Sequence, residues 1–123
     1  MKLDEYVRKV MKEKGFTAYQ VQKNSDGAIK DSYVARLADG TSKFPSVLKL
    51  KDLAKGLQVD FVELIMVAAG SEPTGGWTPQ SLAEAMVKIA RGEELTQAVK
   101  ILVRMKPEEL KHVLIYLNRK RHG

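Results

Sequence analysis

The sequence of 123 residues contains no cysteine, which excludes disulfide bonds and metal sites built on thiolates. This absence fits a reducing compartment, and we expect the protein in the cytoplasm. The chain also lacks an apolar run near the roughly 20 residues that cross a lipid bilayer. Its charged start, MKLDEYVRKV, does not have the pattern of a secretory signal. We therefore expect no membrane partner.

Groups that are typical of catalytic sites are scarce. The two histidines, His112 and His122, lie near the end of the chain without a serine and aspartate constellation and without the spacing of metal ligands. Gly75 and Gly76 belong to a linker-like stretch and not to a glycine-rich phosphate loop. We expect no enzyme activity, and hence no catalytic residues, no metal site and no cofactor.

The composition otherwise favours a folded, basic protein. Apolar residues make up 44% of the chain, which is enough for a core. The net charge of +6 suits a polyanionic partner such as nucleic acid. The excess of basic residues is divided equally between residues 1–70 and residues 71–123. Net charge therefore does not show which part binds such a partner, and the residue pattern has to decide it.

Apolar residues recur at helical spacing along the chain, which predicts an all-α fold. Five short helices are predicted in residues 1–70, with Thr17, Ser46 and Asp60 as N-caps. Residues 71–78, SEPTGGWT, have the composition of a linker. About three more helices are predicted in residues 79–123, where Pro79 follows a capping threonine.

The third predicted helix, Ala28 to Gly40 (AIKDSYVARLADG), has two chemically different sides. Gly40 ends it, because glycine reaches the left-handed backbone conformation at little cost. One side carries the apolar residues Ile29, Tyr33, Val34 and Leu37. The other carries the hydrogen-bonding residues Lys30, Asp31, Ser32 and Arg36.

Residues 1–70 resemble the helix-turn-helix family of phage repressors and Cro, also called the xenobiotic-response-element family. The resemblance is carried by GFTAYQVQK, by SYVARLADG, by the proline loop Phe44-Pro45-Ser46 and by LKLKDLAKGLQVDFVELI. The last stretch matches the fourth helix, turn and fifth helix of the family in register. Two features depart from the family pattern. The turn Asn24-Ser25-Asp26-Gly27 is long, and Ala18 stands where many relatives have a phosphate-binding glutamine.

The resemblance implies that the second and third helices form a DNA-binding pair, with the third in the major groove. Arg36 can donate two hydrogen bonds to guanine, and Asp31 can accept one from cytosine N4. The side chains expected at base edges are Lys30, Asp31, Ser32 and Arg36. Those expected at DNA phosphates are Thr17, Tyr33, Lys43 and Ser46.

Each of these residues also has a role that needs no DNA. Thr17 and Ser46 cap helices in any case, and Asp31 interacts favourably with a helix dipole. Arg36 and Lys43 are also ordinary solvated surface residues. Tyr33 could place its ring in the core and only its hydroxyl near a phosphate.

Residues 79–123 are too few to fold alone, because so short a chain buries little surface. Their apolar stripes must pack either on the first 70 residues or on a second copy of the chain. Dimerisation is the economical hypothesis, because dimers of such modules bind two half-sites. The residues expected at a dimer interface are Leu82, Met86, Ile89, Leu95, Val99, Leu102, Leu110, Leu114 and Leu117.

These features together predict a sequence-specific regulator of transcription that binds double-stranded DNA, and more specifically a repressor that binds a palindromic operator as a homodimer. A regulatory protein or peptide is a further expected partner. The alternative is an antitoxin or protein-interaction module that has kept the fold and binds DNA weakly or not at all. Ala18, which stands in place of a phosphate-binding glutamine, and Asp31, which would repel phosphate, leave room for this alternative.

Overall fold

The computed structural model describes residues 1–42, 45–72, 76–90, 92–105, 111–115 and 117–118. These residues contain helices and no strand, which confirms the predicted all-α class. A helical stretch covers residues 111–115 and 117–118, and the described part of the chain contains seven further helices. They are α1 (Leu3–Lys14), α2 (Ala18–Asn24), α3 (Asp31–Ala38), α4 (Val47–Leu57), α5 (Phe61–Ala68), α6 (Pro79–Ile89) and α7 (Glu93–Met105).

The helix boundaries follow local chemistry closely. The side chains of Thr17, Ser46, Asp60 and Thr78 each accept a hydrogen bond from a backbone N–H in the next helical turn, so they act as N-caps. Gly15 ends α1 in the left-handed conformation, with φ of 68°. The predicted starts of α2, α4, α5 and α6 are therefore confirmed.

The prediction that α3 begins at Ala28 was wrong, because the preceding turn is longer. Asp26 and Gly27 have positive φ, and Ser25 Oγ accepts a hydrogen bond from Ile29 N at 3.1 Å. Ile29 is fully buried but lies ahead of the helix, and Lys30 is the extended N-cap residue. The long turn thus takes up residues that have helical spacing in the sequence.

The core depends on α5, which is apolar on nearly every side. Its side chains are buried from Phe61 to Val67 with the exception of Glu63, which is half-buried. A helix of this kind must be covered all round. Helices α1 and α4 cover part of it, and α6 packs against another part. Helix α7 packs against α4 and α6. The C-terminal helices therefore share one continuous core with the first five.

This packing corrects part of the predicted dimer interface. Leu82, Met86 and Leu102 are buried against their own chain and present no surface to a second copy, whereas Leu117 is buried but keeps 6% of its surface exposed. The sequence left two possible partners for these residues, the same chain or a second copy. The structure shows that the same chain supplies the surface that covers them. Leu110 lies outside the described residues.

A partly buried hydrogen bond joins α1 to α5. Tyr6 is buried, and its hydroxyl donates to Glu63 Oε2 at 2.5 Å. Glu63, three residues after the N-cap Asp60, is therefore engaged by α1. Burial, and then the hydrogen bond to the Glu63 carboxylate, raise the pKa of Tyr6 well above its ordinary value.

A close contact joins α2 to α4. Gly56, inside α4, is buried, and a Cβ added there would lie 2.7 Å from both Val21 O and Val21 Cγ1 of α2. Asn24 Nδ2 at the end of α2 donates to Gly56 O at 3.0 Å. The two helices thus touch backbone to backbone at a point where a larger residue does not fit.

We predict that Gly56→Ala destabilises the protein by about 1–3 kcal/mol, because overpacking forces α2 away from α4. Helix propensity alone would give the opposite sign, a gain of about 0.5–1 kcal/mol. Urea denaturation measures the difference. Lys51→Ala, at an exposed position of the same helix, is the control and should be nearly neutral. An equal or higher stability of Gly56→Ala would contradict the close contact.

We predict that stability decreases as the pH rises above about 10, the ordinary pKa of tyrosine. The folded state raises the pKa of Tyr6, so its contribution is complete below that pH and is lost as Tyr6 ionises. Tyr6→Phe should cost about 1–3 kcal/mol at pH 7 and should flatten the alkaline decrease. Denaturation curves at pH 7 to 11 test this. Tyr19→Phe, at an exposed tyrosine, should change neither result.

Candidate nucleic-acid interface

Helix α3 separates an apolar side from a hydrophilic one. Val34 and Leu37 are buried in the core. Asp31, Ser32 and Arg36 are exposed, as is Lys30 at the N-cap. The four residues expected at base edges are therefore all accessible to a partner, although Lys30 precedes the helix instead of lying on it.

The start of α3 is fixed to α2 by polar contacts. Gln22 Oε1 of α2 accepts a hydrogen bond from Asp31 N at 2.8 Å. The buried Ser25 donates from its hydroxyl to Gln22 O at 2.8 Å and accepts from Ile29 N. Asp31 Oδ1 accepts from Ser32 N at 2.7 Å. The long turn is thus braced, and the hydrophilic side of α3 is held in one orientation relative to α2.

Side chains of α1 donate hydrogen bonds to carbonyl groups at the C-terminal ends of α3 and α4. Arg8 donates to the carbonyl of Ala38, the last residue of α3. Lys14 Nζ donates to Leu57 O at 3.0 Å, at the end of α4, and also to Gln58 O. These cations complement the negative ends of the helix dipoles. Arg8 and Lys14 are therefore engaged in contacts within the fold.

Two cations flank the half-buried ring of Tyr33. The Arg36 guanidinium carbon lies 5.9 Å from the ring centroid, and Lys49 Nζ of α4 lies 5.6 Å from it. Such distances permit cation–π attraction. The ring of Tyr33 thus lies between core and surface, with positive charge from both α3 and α4 close to it. The sequence did not indicate Lys49, because its nearness to Tyr33 depends on how α4 packs.

A carboxylate lies close to this positive surface. Asp39, just after α3, is exposed, and its Oδ1 accepts a hydrogen bond from Thr41 N at 2.8 Å. Hydrogen bonds from the Thr41 side chain and backbone, together with the charge of Arg36, lower the pKa of Asp39. The carboxylate therefore stays ionised and partly offsets the charge of Arg36.

The hydroxyls predicted to meet phosphates are exposed at two helix starts. Thr17 Oγ1 accepts from Gln20 N at 3.1 Å, and Ser46 Oγ accepts from Lys49 N at 3.2 Å. In each case the hydroxyl proton is still available to an acceptor such as phosphate. Lys43 lies outside the described residues.

A residue of α7 contacts the start of α4. Val47 N donates to Glu94 Oε1 at 2.7 Å, across 47 residues of sequence. No local pattern in the sequence could indicate this contact, because it depends on the packing of α7 against α4. It brings a negative charge to the helix start that Ser46 caps.

An apolar groove is open to solvent on the C-terminal side of the molecule. It has a volume of about 440 Å³. Leu114 is 40% exposed and Ile115 is 51% exposed, while Leu95 and Val99 are half-buried. Ile89 of α6 is half-buried outside this groove. The groove is lined by Leu95, Thr96, Val99, Leu114, Ile115, Leu117 and Asn118.

Comparisons with protein-family models, with curated proteins and with solved structures gave no match for this chain. Among the described residues, no group of three or more histidine and acidic side chains is arranged to hold a metal ion. None of the helices in the described ranges has both the length and the apolar character to span a membrane. The geometry of α3 and its surroundings is therefore the main indication of function.

Proposed function

We propose that this chain is a sequence-specific regulator of transcription that binds double-stranded DNA through α3. The observation that carries the proposal is the exposed hydrophilic side of α3, which comprises Asp31, Ser32 and Arg36 and is held by Gln22 of α2. The major groove is about 12 Å wide and accepts one helix. A short helix braced by a second helix is the arrangement that helix-turn-helix proteins use to enter that groove.

Each side chain on this surface would contribute differently. Arg36 would donate two hydrogen bonds to O6 and N7 of a guanine, a contact worth roughly 1–3 kcal/mol of discrimination. Asp31 would accept from cytosine N4 and would repel phosphate, so it narrows the accepted sequences. Ser32 tolerates several bases, and Lys30 would reach the groove edge from the N-cap.

Phosphate contacts would set the position of α3 in the groove. Thr17 and Ser46 offer hydroxyls at the starts of α2 and α4. The Tyr33 ring has the cationic groups of Arg36 and Lys49 close to its centroid, so its hydroxyl would meet a phosphate in a positive environment. Lys43, three residues before Ser46 in the sequence, would add a further positive charge.

Repression through a palindromic operator requires two copies of the chain. The residues that are still accessible for self-association line the apolar groove, with Leu95, Val99 and Leu114 among those predicted from the sequence. Ile89 would extend this surface only if a second copy also reached α6. The proposal is therefore a homodimer through the groove and not through the whole stripes of α6 and α7.

A protein-interaction function, such as that of an antitoxin, is the second candidate. The carboxylates Asp31 and Asp39 on the surface of α3 favour it, because they repel DNA phosphates. The exposed apolar groove would then bind the partner protein. This candidate predicts no preference among DNA sequences.

We predict that Arg36→Ala lowers affinity for a duplex selected from a random pool by about 5- to 150-fold, because one bidentate base contact is lost. Affinity for unrelated duplexes should change little. Fluorescence anisotropy with labelled duplexes measures both affinities. Arg104→Ala, at an exposed arginine of α7, is the matched control and should retain the preference. An unchanged preference in Arg36→Ala would remove Arg36 from the site and favour the protein-interaction candidate.

We predict that Leu114→Asp converts a dimer to a monomer, because it places a charge in the apolar groove. Size-exclusion chromatography with light scattering measures the mass. Val103→Asp is the matched control, since Val103 is also 40% exposed but does not line the groove. A wild-type chain that is monomeric at micromolar concentration would contradict the dimer.

A further inference from the structure

The first turn of α4 contacts a carboxylate from α7, that of Glu94. Glu94 is half-buried in the first turn of α7, and its Oε1 is 2.7 Å from Val47 N. The first N–H groups of a helix have no intrahelical acceptor and carry partial positive charge. The Glu94 carboxylate therefore satisfies a donor that also suits an external anion.

The first turn of α4 is part of the surface proposed to face DNA. Ser46, the residue before Val47, is exposed. Lys49, two residues after Val47, has its ammonium group over the Tyr33 ring that Arg36 also approaches. A phosphate positioned between Ser46 and Lys49 would thus come to the same end of α4 that Glu94 occupies.

A carboxylate and a phosphate cannot both use this position well. Val47 N has one proton to donate, and Glu94 Oε1 already accepts it. A phosphate that arrives beside the carboxylate also meets a like charge at short range, where repulsion is strong near a protein surface. One anion must yield to the other.

We propose that Glu94 competes with a DNA phosphate for the first turn of α4, so that α7 lowers the DNA affinity of its own chain. This inference depends on the proposed function and adds a mode of regulation to that site. The contact links the C-terminal helices to the DNA-facing surface through one hydrogen bond. A partner that binds α7 and moves Glu94 away from Val47 raises DNA affinity by the same route.

The test compares Glu94→Ala with Glu93→Ala. Both remove one negative charge from the first turn of α7, but Glu93 is exposed and Glu94 alone contacts Val47. Glu94→Ala should bind a selected duplex about tenfold more tightly than Glu93→Ala, because a charge-assisted hydrogen bond becomes available to phosphate.

A second pair of variants controls for the possibility that Glu94→Ala changes affinity by disturbing the fold. Glu94→Gln keeps an oxygen that can accept from Val47 N and removes the charge, so it should bind a few-fold more tightly than Glu93→Gln. Thermal melting followed by circular dichroism verifies that each variant is folded.

The outcomes separate this inference from the proposed function. If the wild-type chain selects a duplex but the Glu94 and Glu93 variants bind it equally, the competition is wrong and the DNA-binding function stands. Weaker binding by both Glu94 variants would make Glu94 a structural cap and would also overturn the competition. If the wild-type chain selects no duplex, both proposals fall together.

Discussion

Helix α5 is apolar on almost every side, and this determines how the other helices are arranged. Buried residues run along nearly the whole helix, so no single neighbour can cover it. The helices of the first 70 residues cover one part, and α6 must cover another. Helix α7 packs against both α6 and α4, and this packing places Glu94 at the start of α4. The need to cover α5 thus connects the C-terminal helices to the candidate interface.

The features that were predictable from the sequence are those set by neighbouring residues. Thr17, Ser46, Asp60 and Thr78 cap helices because their side chains reach N–H groups within the next turn. The start of α3 was not predictable from spacing alone, since Ile29 fits the apolar stripe but is buried from within the turn. Periodicity indicates which side chains are buried, and it does not show whether the backbone around them is already helical.

The candidate site also combines features set by neighbouring residues with features that depend on tertiary packing. The exposure of Asp31, Ser32 and Arg36 follows from the helical spacing of Val34 and Leu37 on the opposite side. Gln22, Lys49 and Glu94 reach the site only through tertiary packing, and no local pattern marks them. The burial of Leu82 and Met86 in their own chain is of this second kind. An amphipathic stripe shows that a helix needs a partner surface, but the stripe does not show which chain supplies it.

We propose that the hydrophilic side of α3 lies in the major groove, and the absence of cysteine from the chain allows a direct test. A single cysteine in place of Ser32 can form a disulfide with a thiol tethered to a base in the major groove of a selected duplex. If α3 lies in the groove, cross-linking from Ser32→Cys should be rapid and Lys100→Cys, at an exposed position of α7, should give none. Equal cross-linking from both positions, or from Lys100→Cys alone, would contradict it.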